Sequence, residues 1–155
     1  MAAPFAFDRT WQFPMPPEAL WDVFTRTDRY PSWWSWLREF DVDEFATGAT
    51  ARCVIRSPLP YALRCQIYVD ALRAPHSILT TVTGDLRGPA RLEIGQCESG
   101  SIARLAWSLD LGNPRLANLA RVARPAMKWA HDRVVAIGVE QFRERALIPQ
   151  PECAL

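Results

Sequence analysis

The chain has no internal repeat, no low-complexity segment and no block of like charges. Its 18 basic and 17 acidic residues nearly cancel, leaving a formal net charge of +1. That balance provides neither a basic surface for nucleic acid nor a cationic patch for an anionic membrane. No apolar run approaches the ~20 residues that a membrane-spanning helix needs. The opening MAAPFAFDRTWQF has no basic stretch followed by an apolar one, so it does not read as a secretory signal. The four cysteines, Cys53, Cys65, Cys97 and Cys153, contain no CxxC pair and match no zinc spacing. They read as reduced structural thiols, with Cys53 and Cys65 inside apolar strand-like runs where cysteine acts as a small hydrophobe. HExxH, GxSxG and a serine–histidine–aspartate order are all missing. The expectation is a cytoplasmic protein with no metal or other cofactor, no membrane span and no nucleic-acid partner. A homodimer is compatible with the sequence.

What is there has globular proportions. Of 155 residues, 49% are apolar and 23% charged, enough for one domain with its own core. That domain is expected over 1–148, with 149–155, around Pro151, as a loose tail.

Period-two alternation dominates the first two thirds. Phe7, Arg9, Trp11 and Phe13 share one side of a first strand, against Asp8, Thr10 and Gln12; Arg9 is the dissonant member. Pro16 and Pro17 then stop the strand and open a short amphipathic helix with Leu20, Trp21 and Phe24 on one face. Asp28 is positioned to cap a second short helix carrying Tyr30, Trp33, Trp34 and Leu37. Phe40 and Val42 fit a brief strand, and Ala51, Cys53 and Ile55 alternate with Arg52, Val54 and Arg56. Breaks are expected at Ser57, Pro58 and Pro60. The cleanest strand sets Leu63, Cys65, Ile67 and Val69 against Arg64, Gln66, Tyr68 and Asp70, the apolar-in, polar-out pattern of an antiparallel sheet with one wet face. A register slip of one residue would instead turn Arg64 and Tyr68, with Tyr61, into polar anchors of the interior. After a turn at Ala74–Ser77, Ile78 to Leu86 reads as strand with Gly84 as a bend, and Gly88 and Pro89 read as a turn. Ala90, Leu92 and Ile94, then Leu105, Trp107 and Leu109, complete roughly 6–7 strands.

The remainder is helical. Asn113 caps and Pro114 enters first; Leu116, Leu119, Ala120 and Ala123 form a stripe. Pro125 is expected to kink or restart the helix. Met127, Ala130, Val134 and Ile137 then carry the stripe on to Phe142. One strand, two small helices, a run of antiparallel strands and a long helix make an α+β layout: a curved sheet gripping the helix, which buries both apolar faces at once.

Five stretches in this order resemble the START-related SRPBCC superfamily, the helix-grip proteins that include bacterial polyketide cyclase/dehydrase-like chains. They are PPEALWDVFT, DRYPSWWSWL, GDLRG, RLAWSLDL and ARPAMKWAHDRVVAIGVEQF, and the resemblance spans roughly Phe5 to Ala146. It implies a pocket between sheet and helix for an apolar ligand such as a polyketide, a lipid-like molecule or an aromatic compound, which some members cyclise or dehydrate. Function does not follow from such a fold alone.

Within that layout the candidate ligand-binding residues are Trp33, Trp34, Cys65, Ile67, Val82, Leu92, Leu105, Trp107, Met127 and Val134. Trp33 or Trp34 would close the pocket mouth and Trp107 would line its wall. His131 is the candidate catalytic residue, as an acid or base for a cyclase or dehydratase. With Met127 at zero and about 100° per residue, the stripe centres near 330° and His131 falls at about 40°, on its flank. Asp132 falls at about 140°, so the adjacent His-Asp letters do not read as a dyad. GDLRG reads as a strand bend with a solvated Asp–Arg pair, and His76 as a solvated turn residue. A partner-binding module built on exposed Trp33, Trp34 and Trp36 is the remaining functional class.

Overall fold

The computed structural model of the protein describes residues 5–56 and 62–146. The expected breaks at Ser57, Pro58 and Pro60, the alternative anchor Tyr61, and the tail with Cys153 lie outside them. So do the side chains of Leu116, Leu119, Ala120 and Ala123.

In chain order the elements are β1 (Phe5–Phe13), α1 (Pro17–Phe24), a 3-10 turn (Thr27–Arg29), α2 (Tyr30–Trp33), β2 (Leu37–Asp41), β3 (Thr50–Arg56), β4 (Ala62–Arg73), β5 (Ser77–Gly84), β6 (Leu86–Cys97), β7 (Gly100–Leu111) and α3 (Pro114–Gln141), which ends in a π-helical turn at Phe142–Ala146. All seven strands join one curled antiparallel sheet in the order β1-β7-β6-β5-β4-β3-β2. The α+β architecture expected from the alternation is the one observed.

The alternation works as the pattern requires. In β4, Cys65 and Val69 are buried while Arg64, Gln66, Tyr68 and Asp70 face outward, so the register that would bring Arg64 and Tyr68 inside is not adopted. In β1 the inward residues end on buried Phe5 and Phe13, and Arg9 escapes to the surface with its guanidinium 5.7 Å from the Phe7 ring. Pro16 is extended at the cap position of α1 and Pro17 takes the first turn. Leu20 and Trp21 then bury against β6 and β7. Asn113 caps α3 as expected, accepting from the Arg115 amide at 3.0 Å.

Four local expectations are corrected. Asp28 caps nothing: it lies in the 3-10 turn, α2 has no side-chain cap, and the helix stops at Trp33, so Trp34 and Leu37 lie beyond it. Leu37 instead opens β2, which ends before Val42. The run from Ile78 to Leu86 is two strands, broken at Asp85, because Asp85 is held from several sides. Its amide donates to Arg64 O at 3.0 Å, its carboxylate accepts from the Arg64 amide at 2.8 Å and from Asn113 Nδ2 at 3.2 Å, and its carbonyl accepts from Gly112. It is therefore a clamp between β4, the β5–β6 turn and the head of α3, and Arg87 is not its partner. Gly88 and Pro89 do not turn the chain but lie within β6. There Gly88 has φ +147°, and a Cβ would fall 2.0 Å from Ser108 O, so only glycine lets β6 press this closely on β7. Beyond these four, Pro125 sits inside α3, and the helix continues through it. Anchors on both sides, the Asn113 cap before and buried Met127 and Ala130 after, hold the helix across the missing N–H.

Candidate functional site

The inner face of the sheet and the facing side of α3 meet at His131, which touches Phe5 and Trp107, and stand apart elsewhere. Between them lies a cavity of about 430 Å³. Residue volume explains the gap. Cys53, Cys65, Ala90, Ala103, Ala130 and Gly138 all stand on its wall, so small side chains occupy both the sheet and the helix where they face each other. Larger groups close the surround: Phe5, Trp11, Phe13 and Trp107 from the sheet, Tyr30, Trp34, Trp36, Phe40 and Phe45 from the segment around α2 and β2. The volume falls in the range that takes a small organic molecule.

The polar groups on this wall are spent on each other. The Tyr30 hydroxyl donates to Phe24 O, and burial raises the phenol's proton affinity, keeping it neutral. Thr80 Oγ1 donates to Ala90 O at 2.8 Å, and Trp34 Nε1 to Gly138 O at 2.9 Å. Arg91 Nε turns to Glu93 at 3.4 Å. Trp36 Nε1 is the one buried side-chain nitrogen or oxygen without a partner among the described residues. It packs on Gly138, where an added Cβ would stand 3.4 Å away, at ordinary van der Waals contact.

His131 sits nearer the middle of the helix face than the wheel indicates. Val135, Gly138 and Val139 also line the cavity, while Ile137 does not. On the same wheel they fall at about 80°, 20° and 120°, which moves the centre of the stripe toward His131. Its Nε2 accepts from Trp107 Nε1 at 3.0 Å. Indole nitrogen can only donate, so Nε2 carries the lone pair and Nδ1 the proton. Nδ1 lies 3.2 Å from Asp132 Oδ1. The adjacent carboxylate thus does reach the ring, contrary to the helical-wheel expectation: the rotamers of the two side chains turn them toward each other. Phe5 stacks on the imidazole at 5.3 Å and Trp107 meets it edge-on at 5.6 Å.

No protein-family model matches the chain, and no curated protein matches it. Solved structures do. TTHA0849 from Thermus thermophilus superposes with a TM-score of 0.71 at 14% identity, over 92% of this chain and 95% of that one. The di-domain ARO/CYC protein BexL of the BE-7585A biosynthetic pathway gives 0.71 at 18% identity, over 94% of this chain and 51% of BexL. Ara h 8.0201 gives 0.57 at 11% identity, over 85% and 98%. The chain shares the fold of these structures, a curled antiparallel sheet around a C-terminal helix, which is the helix-grip fold that the sequence resemblance implies. At these identities the likeness is one of fold.

In this helix-grip chain the wall includes Trp34, Cys65, Ile67, Val82, Leu92, Leu105, Trp107, Met127 and Val134, with His131 among them. Trp33 is absent. It is 5% exposed and packs behind the cavity, its ring 5.9 Å from Phe142. Trp34 and Trp36 turn inward as well, which removes the surface that a tryptophan-based docking module needs. The tryptophan that does face solvent is Trp129, 56% exposed on α3. Sequence reasoning took only Trp33 and Trp34 as wall, and missed Tyr30, Trp36, Phe40 and Phe45, in the segment from Tyr30 to Phe45. Its aromatic density was the available signal, but a loop-rich stretch has no periodicity to say which rings point inward.

Proposed function

We propose that this protein binds a small hydrophobic molecule, such as a polyketide, a lipid-like compound or an aromatic compound, in the cavity between the sheet and α3. The observation that carries the reading is the cavity itself: about 430 Å³ kept open by small residues on facing surfaces, with nearly every polar group on the wall already paired. Such a wall rewards apolar area, at ~25 cal/mol per Å² removed from water, and selects by shape more than by hydrogen bonding. The ligand-binding residues in this reading are Trp34, Cys65, Ile67, Val82, Leu92, Leu105, Trp107, Met127 and Val134. The ARO/CYC protein among the fold's neighbours supports an apolar, biosynthetic type of ligand.

A cyclase or dehydratase reading rests on His131 at the cavity wall. The geometry favours it less. The imidazole lone pair is committed to Trp107 and its proton faces Asp132, so a substrate would have to displace the indole before His131 could take a proton. In the binding reading His131 ties helix to sheet and contacts the ligand with its ring.

The test is native mass spectrometry of the purified protein before and after gentle denaturation, with organic extraction of what is released. The binding reading expects an apolar compound held one to one, or uptake of one from an offered panel of polyketide-like, fatty acyl and polycyclic aromatic molecules. Consistently bare protein that takes up none of them contradicts it. Turnover of a bound polyketide that falls in His131→Asn would move the cyclase reading to first place.

A further inference from the structure

Cys53 and Cys65 are directly opposite each other on the antiparallel pair β3–β4. Both are free, both point to the inner face, and both line the cavity. Opposite residues in such a pair have Cβ atoms about 4.5–5.5 Å apart, so one bridging atom can reach both sulfurs. The residues are 3% and 4% exposed, and their outlet is the cavity. The rest of the sheet gives them no third ligand: among the described residues no group of three or more histidine, cysteine, aspartate or glutamate side chains could hold a metal ion. A group captured here is therefore held by two sulfurs.

Charge narrows the choice further. A net charge in an apolar wall is costly, so the adduct must be neutral. Two thiolates around a monovalent soft ion leave one negative charge, whereas two thiolates on a centre with two exchangeable valences leave none. An organoarsenic(III) centre meets that condition and also brings an organic substituent, for which the cavity has room.

We infer that Cys53 and Cys65 form a dithiol site that captures an organoarsenic(III) group, with its apolar substituent lodged in the cavity. The step is ligand exchange without change of oxidation state. Two arsenic–oxygen bonds of R–As(OH)2 break, two arsenic–sulfur bonds form, and the two thiol protons leave with the hydroxides as two waters. The Cys53 thiol holds the neighbouring Cys65 low against the cost of burial and the nearby Asp85 charge, with help from the backbone N–H groups of Leu86 and Asp85, and the same contact raises Cys53.

The experiment uses the full chain with Cys97 and Cys153 replaced by serine, kept reduced with a phosphine, and phenylarsine oxide as the probe. Intact mass should show one phenylarsenic per chain that survives excess 2-mercaptoethanol and is stripped by 2,3-dimercaptopropanol. C53A and C65A, each on that background, should lose the monothiol-resistant adduct completely. No adduct on the parent, an adduct that a monothiol removes, or one that survives either substitution overturns the inference. If a variant does not fold, the parent alone decides. After loading and denaturation, Cys53 and Cys65 should both escape alkylation; alkylation of either one counts against the site.

Discussion

At one end of the sheet Leu20, Trp21, Trp33 and Ile94 pack solidly behind Phe13, Ile78 and Phe142, which reach the cavity wall, with the Phe24 and Phe142 rings stacked at 4.7 Å. At the other end Phe5, Cys53, Cys65, Val82, Leu109 and Met127, with Leu37 behind them, form a second cluster that is equally buried but faces open space. Both are apolar. The difference is what α1 and α2 do. They insert Leu20, Trp21 and Trp33 at the first end, whereas at the second the helix presents the small side chain of Ala130 to a wall that includes Cys53, Cys65 and Ala90. Polar ties follow the same division. Near the packed end α3 is fastened by Trp34 Nε1 to Gly138 O, by Gln141 to Ser35, and by Arg145 to Trp33 O at 3.2 Å. Near the hollow end its fastening to the sheet is Trp107 to His131. One end supplies stability, and the other gives up packing to keep a volume.

The sharpest way to break this comparison is to truncate one side chain at each end. Leu20, fully buried, should lose about 2–5 kcal/mol on conversion to alanine. Leu109→Ala, in the second cluster and on a wall that already faces a void, should lose less than half as much in the same denaturant unfolding series. Equal losses would mean that the second cluster is packed after all.

A smaller effect is expected at the helix fastening. His131→Leu keeps the volume but leaves the Trp107 indole N–H without its acceptor, at a cost of about 1–3 kcal/mol. Trp107→Phe in the His131→Leu background should then cost little more than ring truncation, so a double-mutant cycle should return a clear coupling energy. Additive losses would show that the 3.0 Å contact contributes nothing.

The smallest effect lies on the outer surface, away from both clusters. Arg104 grips Asp8 through two hydrogen bonds, of 2.8 and 2.6 Å, and holds its carboxyl below the usual carboxylate range. With the folded value lowered, the unfolded chain binds more protons on the acid side, so stability rises with pH there. The contribution is fully present above the unfolded value of ~3.9 and is lost as pH falls through the lower folded value. The pair is exposed, so Asp8→Asn should lower Tm only slightly at neutral pH, where the contribution is present, and should converge with wild type as pH falls through the lowered folded value. A difference that persists undiminished on the acid side would contradict this origin.

How much of this was legible in the sequence follows from the range of the forces involved. Strands β3, β4 and β7 could be read from alternation because one face is wet and the other dry, and Asn113–Pro114 announced the start of α3 locally. The break at Asp85 could not be read, since its cause is partners at Arg64, Gly112 and Asn113, far away in the chain. Gly88 looked like a turn because the strand it serves is defined by its neighbour Ser108. At the site, wall residues on strands followed from parity. Trp33 and Trp34 could not be told apart, because α2 ends between them. The reach of Asp132 to His131 depended on rotamers that a helical wheel does not contain.

The central claim is that the hollow end is a binding volume, and filling it is the most direct test. Ala90 lies on the wall midway along β6, opposite Trp107. The measurement is a titration of an environment-sensitive apolar fluorophore with wild type and Ala90→Phe, with thermal unfolding as the check on folding. The account predicts saturable one-to-one binding by wild type and loss of that binding in a variant that still unfolds cooperatively. Undiminished binding by folded Ala90→Phe, or none by wild type, would contradict it.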